Sequence, residues 1–316
     1  MMNLKVKGFA LGAIAAATYG MNPLFTLPLY SNGMNPDSVL FFRYLLALPI
    51  VAVMLKARGH SLKLQRREVL PLVVMGVLMA ASSLCLYLSY NYMAAGIAST
   101  MLFVYPIMVA LIMALVYKER LSLMTAFCLV MALGGIGMLY NTSDGGTLSL
   151  SGTLLVMLSS LSYAVYLVGV NKPVLKNIPT LRVTFYVLLF GVFLYVIRLV
   201  AFCPLTIPHD WYLWGNLIAL ATLPTAISFF CTTLAIQYIG STPTAILGAL
   251  EPVTAIFFGV VVFDETLTPR DIVGLVMIIT AVTLVVAGGS VTLHLHLTRF
   301  RKLFPRIPFG HHHKAE

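Results

Sequence analysis

The stretch LGALEPVTAIFFGVVVFDETLTP, residues 247 to 269, places one carboxylate, Glu251, inside a long apolar run. Such a run can cross a bilayer, for which about 20 apolar residues are needed. An ionised side chain at that depth costs about 2.5 to 3.5 kcal/mol on insertion scales, so Glu251 should face the bundle interior or a water-filled cavity. The alternative is that Glu251 satisfies polar groups freed by the adjacent Pro252 in a packed helix.

The whole chain has the composition of a membrane protein. Of its 316 residues, 60% are hydrophobic and 9% are charged, whereas a soluble domain carries about 25% charged residues. The four cysteines have no metal-ligand or disulfide spacing, and we expect neither a metal nor a cofactor. We predict an all-α membrane protein with ten transmembrane helices, at residues 8–30, 38–55, 70–91, 95–116, 121–140, 150–170, 180–199, 214–237, 242–262 and 271–292.

Lysine and arginine are distributed unequally between the two ends of these spans. With a cytoplasmic N-terminus, 17 of them fall on the cytoplasmic side and two, Arg198 and Arg270, on the other, while Arg43 lies inside a span. Cytoplasmic loops of membrane proteins are enriched in these residues. We therefore predict that both termini are cytoplasmic, including a basic tail at residues 293–316. The net charge of +10 then reflects orientation in the membrane and requires no nucleic-acid partner.

The sequence also repeats itself. When residues 80–131 are compared with residues 226–277, twelve of 52 positions are identical, and the pattern P-x12-E-x-L occurs in both segments. Tyr19 and Tyr163 correspond at a similar offset. We predict two halves, residues 1–145 and 146–292, of five spans each. Because five is an odd number, the second half enters the membrane from the opposite side, as in the inverted repeats of transporters.

Several motifs of the chain resemble the drug/metabolite transporter superfamily, and within it the EamA-type transporters. They are YGMNP in the first span, FFRY in the second, P-x12-ERL with a following GGIG, SYAVY in the sixth, and EPVTAIFFGVVVFDETLTPRDIVG across the ninth and tenth. The resemblance implies a secondary carrier of small metabolites, often amino acids or related solutes and often exported, in a bacterial inner membrane.

Polar and aromatic residues at helical spacing are the candidates for a solute cavity. Tyr19 and Asn22 are three residues apart and share a helix face, as do Tyr163 and Tyr166. Pro106 and Pro252 each remove a backbone donor in mid-span, and we predict hinges or gates there. The predicted cavity residues are Tyr19, Asn22, Arg43, Tyr87, Tyr105, Tyr163, Tyr166, Ser228, Thr232 and Glu251, with Glu251 sensing charge.

Each of these residues has a structural alternative. Tyrosines form belts at membrane interfaces, and prolines shape helix packing. Serine and threonine hydroxyls bond to main-chain carbonyls or across helices. Arg43 either snorkels outward or pairs with Asp37 in place of contacting a solute.

Other classes of function fit the sequence less well. An enzyme within the membrane needs paired acids, a Ser–His arrangement or metal ligands, yet all seven histidines lie in loops, at a span end or in the tail. A channel usually needs a selectivity ring and oligomeric symmetry. We predict a secondary active transporter, an exporter of small metabolites such as amino acids, working by alternating access. The alternatives are a facilitative channel or uniporter without ion coupling and, less favoured, an intramembrane enzyme.

The predicted partners follow from that function. They are a small-molecule solute, the lipid bilayer and, if transport is coupled, a proton. The sequence leaves open whether a second copy of the chain is also a partner, in a homodimer.

Overall fold

The computed structural model describes residues 4–117, 123–139, 149–170, 173–176, 178–239, 244, 247, 248 and 250–284. Within these ranges the regular structure is helical, without a strand. The predicted all-α membrane protein is confirmed. The predicted tail, residues 293–316, and Glu119 of the first P-x12-E-x-L pattern lie outside the described residues.

The helices follow the predicted spans in chain order. They are α1 (Leu4–Gly20), α2 (Asn22–Ser31), α3 (Pro36–Ala57), α4 (Arg66–Ser89), α5 (Ala95–Leu102), α6 (Tyr105–Tyr117), α7 (Leu123–Leu139), α8 (Leu150–Val170), α9 (Pro173–Lys176), α10 (Thr180–Ala201), α11 (Trp211–Ala221), a π-helical segment (Thr222–Ile227), α12 (Ser228–Ile239), α13 (Leu250–Phe263) and α14 (269–284).

Among the described residues, six helical stretches are long and apolar enough to cross a membrane. They are Pro36–Ala57, Arg66–Ser89, Ala95–Val116, Leu150–Val170, Thr180–Ala201 and Trp211–Thr232. Shorter apolar helices lie at Ala126–Met138 and Leu250–Phe263. Each of the ten predicted ranges contains described helix, but the count of ten spans stays a prediction.

Within the described residues, three spans predicted as single helices are broken, and the ninth span has a turn at Gly248, two residues before α13 begins. The first span divides into α1 and α2 at Met21, the fourth into α5 and α6 after Phe103, and the eighth passes through the π-helical segment. A proline lies just after or within each break, at residues 23, 106 and 224. Proline lacks the N–H that would bond the carbonyl four residues earlier, and its ring clashes with that carbonyl, so the regular helix cannot continue.

Small residues allow α1 to approach the second half of the chain closely. Gly8, Gly12, Ala16 and Gly20 are buried and spaced four residues apart, so they form one face of α1. A methyl group on Gly12 would lie 2.5 Å from the Leu247 side chain, and one on Gly20 would collide with the main-chain oxygen of Glu251. Close packing of small residues is the usual way in which membrane helices associate.

Reciprocal serine hydrogen bonds join α4 and α8. Ser82 Oγ donates to the carbonyl oxygen of Ser159 at 2.9 Å, and Ser159 Oγ donates to that of Ser82 at 2.7 Å. Both serines are buried. The two helices are therefore held by polar contacts in addition to apolar packing.

The predicted alternative in which Arg43 pairs with Asp37 is wrong. Asp37 forms its ion pair with Arg198 of α10, where the Arg198 guanidinium donates to both carboxylate oxygens. Arg43 is only 5% exposed and does not snorkel outward. The reason lies in helix geometry: six residues rotate the side chain by about 600°, so Asp37 and Arg43 point to different faces of α3.

Candidate substrate cavity

A cavity of about 870 Å³ opens between α1, α2, α4, α5, α6, α8, α12 and α13. This volume lies within the range of small-molecule sites, about 300 to 1,000 Å³. The described residues of its wall are Gly12, Ala15, Ala16, Tyr19, Gly20, Asn22, Leu86, Tyr90, Ser99, Leu102, Phe103, Tyr105, Pro106, Val109, Met113, Tyr163, Leu167, Val168, Ser228, Phe229, Thr232, Thr244, Gly248, Glu251 and Pro252.

Most of the predicted site residues meet at this cavity. Its wall includes seven of the predicted binding residues and both predicted hinges: Tyr19, Asn22, Tyr105, Tyr163, Ser228, Thr232, Glu251, Pro106 and Pro252. Arg43, Tyr87 and Tyr166 lie outside the wall. Tyr166 stacks on Tyr163, with ring centroids 5.8 Å apart, and packs against the apolar cluster around Met75. Tyr87 is fully buried behind Asn22.

Aromatic rings form much of the remaining wall. Tyr105 and Tyr163 pack edge to face with their centroids 4.7 Å apart, and Phe103 packs on Tyr105 at 6.0 Å. Sequence reasoning missed Phe103 and Phe229, because a phenylalanine in a uniformly apolar span carries no periodic signal. Pro106, three residues after Phe103, was the one clue in the sequence, since broken helices in membranes line cavities.

Glu251 is the sole acid on the described wall, which also contains no lysine, arginine or histidine. Among the described residues none donates a hydrogen bond to its carboxylate, although that side chain lies at the cavity surface. A carboxylate in an apolar, aromatic cavity attracts positively charged groups strongly, because the low dielectric screens the attraction weakly.

The carbonyl that each of the prolines 23, 106, 224 and 252 leaves without its usual donor accepts a hydrogen bond from another group. In the first span Pro23 cannot reach the carbonyl of Tyr19, and Asn22 Nδ2 donates to it at 2.8 Å. In the fourth span Pro106 cannot reach the carbonyl of Leu102, and Ser160 Oγ of α8 donates to it at 3.1 Å. Each broken helix therefore keeps its carbonyl satisfied, as burial away from water requires.

The eighth and ninth spans follow the same rule. Pro224 leaves the carbonyl of Leu220 open, and Thr225 Oγ1 donates to it at 2.9 Å. Pro252 leaves the carbonyl of Gly248 open, and the backbone N–H of Glu251 donates to it at 2.9 Å. The main chain of Glu251 therefore satisfies the carbonyl that Pro252 frees, which was the structural alternative for this residue. The carboxylate is not needed for that bond and faces the cavity.

Two further hydrogen bonds, one from Ser228 and one to Glu265, join elements in and around the cavity wall. Ser228 Oγ donates to the carbonyl of Ala15 at 2.9 Å, so this hydroxyl bonds across helices from α12 to α1. Near α5, the backbone N–H of Ala95 donates to Glu265 Oε1 at 3.0 Å. Burial raises the pKa of the Glu265 carboxyl above its usual range, while the main-chain donors at Ala95 and Gly96 oppose that rise.

The chain is similar to known transporters along most of its length. A family model described as the EamA-like transporter family matches residues 6–141 and again residues 150–287. An uncharacterized transporter of Archaeoglobus fulgidus (strain ATCC 49558) is 30% identical over 243 residues, which cover 77% of this chain and 82% of that one. A crystal structure of a protein with 18% identity has a TM-score of 0.65 and covers 88% of this chain and 96% of its own, which shows the shared fold.

Proposed function

Because the chain belongs to the EamA-like transporter family and is thus a multi-pass membrane transporter, we propose that it carries small metabolites through the central cavity by secondary active, alternating access. The observation that carries the proposal is the cavity itself, which lies at the broken helices and has one carboxylate on its described wall. Family and relative point to transport rather than to catalysis. The bacterial inner membrane, cytoplasmic termini and the direction of export are parts of the proposal that rest on the sequence.

Alternating access by inverted repeats is supported by matched contacts. The hydrogen bond from Ser228 to Ala15 corresponds, at sequence offsets of 146 and 144 residues, to the bond from Ser82 to Ser159. The α1–α12 packing in one case and the α4–α8 packing in the other are thus the same contact made twice. The two separate matches of the family model agree with halves at residues 1–145 and 146–292.

Glycine contacts repeat in the same way. A methyl group on Gly8 would meet the side chains of Tyr238 and Ile239, and one on Gly152 would meet those of Tyr92 and Met93. Tyr238 and Ile239 lie 146 positions after Tyr92 and Met93 in the sequence, and Gly152 lies 144 positions after Gly8. Two like halves that exchange equivalent contacts provide two equivalent arrangements, and these are what an alternating-access carrier needs.

The chemistry of the cavity favours a solute with an amino group and an apolar side chain, such as an amino acid. The Glu251 carboxylate would bind the ammonium group, and the faces of Tyr19, Tyr105 and Tyr163 would attract a cation and pack on apolar atoms. A proton and an ammonium group compete for the same carboxylate. Exchange of one for the other at Glu251 would couple export to the proton gradient, and Pro106 and Pro252 would act as the hinges.

Proteoliposomes test the proposal directly. Wild type, Glu251→Gln and Glu68→Gln would be compared for transport of labelled amino acids and other small metabolites, with a pH gradient imposed and then collapsed. Glu68 is the matched control, since it is a buried acid in the capping box of α4, where glutamine also fits. We expect wild type and Glu68→Gln to respond to the gradient and Glu251→Gln to lose that response.

Other outcomes are equally informative. Transport by wild type without any response to the gradient would favour the uniporter alternative. Transport by Glu251→Gln that equals wild type, gradient response included, would overturn the role of the carboxylate. Failure of wild type to move any solute class of the panel, in either direction, would overturn the proposed substrate class.

A further inference from the structure

A buried arginine connects two of the proline breaks from outside the cavity wall. Arg43 of α3 is 5% exposed and donates two hydrogen bonds, from Nη1 to Tyr87 Oη at 2.7 Å and from Nε to Thr225 Oγ1 at 3.0 Å. No described carboxylate lies within ion-pair distance of it. Two hydroxyls therefore hold the charge of this guanidinium, although an unpaired cation inside a membrane protein is costly.

The first branch leads to the break in the first span. Tyr87 Oη donates to Asn22 Oδ1 at 3.3 Å and also accepts from Thr26 Oγ1 at 3.1 Å. Asn22 in turn donates to the Tyr19 carbonyl that Pro23 leaves open. The oxygen and the nitrogen of the Asn22 side-chain amide thus both form hydrogen bonds within the protein. The branch ends at Tyr19, whose side chain lies on the cavity wall.

The second branch leads to the break in the eighth span. Thr225 Oγ1 accepts from Arg43 and donates to the Leu220 carbonyl that Pro224 leaves open. Thr225 is 1% exposed and lies in the π-helical segment directly before α12. The first residue of α12 is Ser228, which lies on the cavity wall and bonds to Ala15 of α1.

We propose that Arg43 is a positioning residue that holds the breaks of the first and eighth spans in register, and so sets the positions of Tyr19 and Ser228 in the cavity. It acts through Tyr87, Asn22 and Thr225 and does not touch the solute. The planar guanidinium suits this role because its fork of donors serves two acceptors in fixed directions, whereas the single ammonium of lysine has no such fork. The inference rests on the proposed transport function for its kinetic test only.

The kinetic test uses variants that cut one branch at a time. Tyr87→Phe removes the branch to the first span, Thr225→Val removes the branch to the eighth, and Arg43→Lys keeps the charge but loses the fork. We expect each to raise the half-saturating solute concentration by about tenfold, the size expected for the loss of one charge-assisted hydrogen bond. Adding Tyr87→Phe to Arg43→Gln should change it by less than about twofold, because partners in one network are not additive.

Tyr44→Phe is the matched control. Tyr44 is also a buried tyrosine that joins α3 to α4, through its hydroxyl and Ser83 Oγ at 2.8 Å, but it is not on the Arg43 branches. We expect its half-saturating concentration to equal that of wild type. A purely structural Arg43 would lower the amount of folded protein and leave the half-saturating concentration of the remainder unchanged, and that result would overturn the proposal.

A second measurement needs no solute. In a cysteine-free background, Thr232→Cys places a thiol on the cavity wall, and this thiol would be labelled with a polar maleimide. We expect Arg43→Lys, Tyr87→Phe and Thr225→Val to change the labelling rate severalfold and Tyr44→Phe to leave it unchanged. Equal rates in all variants would overturn the positioning role even if no solute is known. Changed labelling together with a wild type that transports nothing would retain the inference and reject the proposed function.

Discussion

The breaks in the fourth and ninth spans occupy matching positions in the two proposed halves but are fixed differently. Tyr105–Pro106 and Glu251–Pro252 correspond at the offset of 146 residues. In the fourth span, a side chain of another helix, Ser160, satisfies the open carbonyl of Leu102. In the ninth, Glu251 satisfies the carbonyl of Gly248 with its own main chain. The fourth break is bonded to a neighbour, whereas the ninth is satisfied locally.

The difference suggests a division of labour between the two breaks. A break tied to α8 by a hydrogen bond keeps its place when the bundle moves, so Tyr105 forms a fixed wall. A break whose carbonyl is satisfied within its own span can bend without leaving a buried carbonyl unpaired. The carboxylate lies at this second break, where movement of the helix would carry the charge with it.

The largest effect should follow from giving the ninth break the side chain of the fourth. Glu251→Tyr removes the acid from the described cavity wall, and we expect gradient-driven transport to fall about 100-fold, as for the loss of a charged contact. Tyr105→Phe should reduce transport by no more than about threefold, because the aromatic face remains. Initial rates in proteoliposomes measure both. Equal losses in the two variants would contradict the division of labour.

Replacing each hinge proline by alanine restores the missing backbone N–H group and should have a smaller effect on transport. The size of the effect should differ between the two hinges. Pro252→Ala allows a regular helix through residue 252 and should lower the turnover rate about tenfold by stiffening the break. Pro106→Ala should have less effect, because Ser160 already fixes that break. Single-turnover efflux compares the rates. Unchanged turnover in both variants would reject the prolines as hinges.

Removing the bond from Ser160 should affect stability more than transport. Ser160 is fully buried, and Ser160→Ala leaves the Leu102 carbonyl open, so we expect the free energy of unfolding to fall by about 1 to 3 kcal/mol. Thermal unfolding in detergent measures the loss. Ser162→Ala, two residues along α8, is the control and should unfold at the wild-type temperature. A variant at position 160 that is as stable as wild type would show that water or another donor replaces the hydroxyl.

Sequence reasoning found the membrane class and much of the cavity for identifiable physical reasons. Spans of about 20 apolar residues can hardly fold except as membrane helices, so composition was enough for the fold class. Glu251 was conspicuous because charge is costly at that depth. Tyr19 and Tyr163 were found because they recur at one offset in the two halves.

The remaining features depend on contacts between distant parts of the chain. Arg43 and Tyr87 were expected on the cavity wall, but the structure places them one layer behind it, because Asn22 lies between Tyr87 and the cavity. The prolines marked where spans one, four and eight break but not which donors replace the lost ones, since Ser160 is 58 residues from Leu102. One local clue was available: an asparagine before Pro23 can cap the carbonyl that the proline leaves open.

The smallest predicted effect concerns Glu265, which joins the loop after the ninth span to the start of the fourth. Its carboxylate accepts from Ala95, and Gly96 leaves space beside it. Since burial raises the pKa of this carboxyl, the folded protein binds more protons than the unfolded chain between the unfolded and folded pKa values. Stability therefore falls as pH rises through that window.

Glu265→Gln should remove this pH dependence, because an amide does not ionise yet its oxygen still accepts the bond from Ala95. We expect the unfolding temperature of the variant to vary less with pH than that of wild type over the same window, with the two closest at its acidic end. Thermal unfolding across a pH series measures the slope. If wild type and variant had parallel slopes, titration of Glu265 would contribute nothing to stability, and the link between the fourth and ninth spans would act through packing alone.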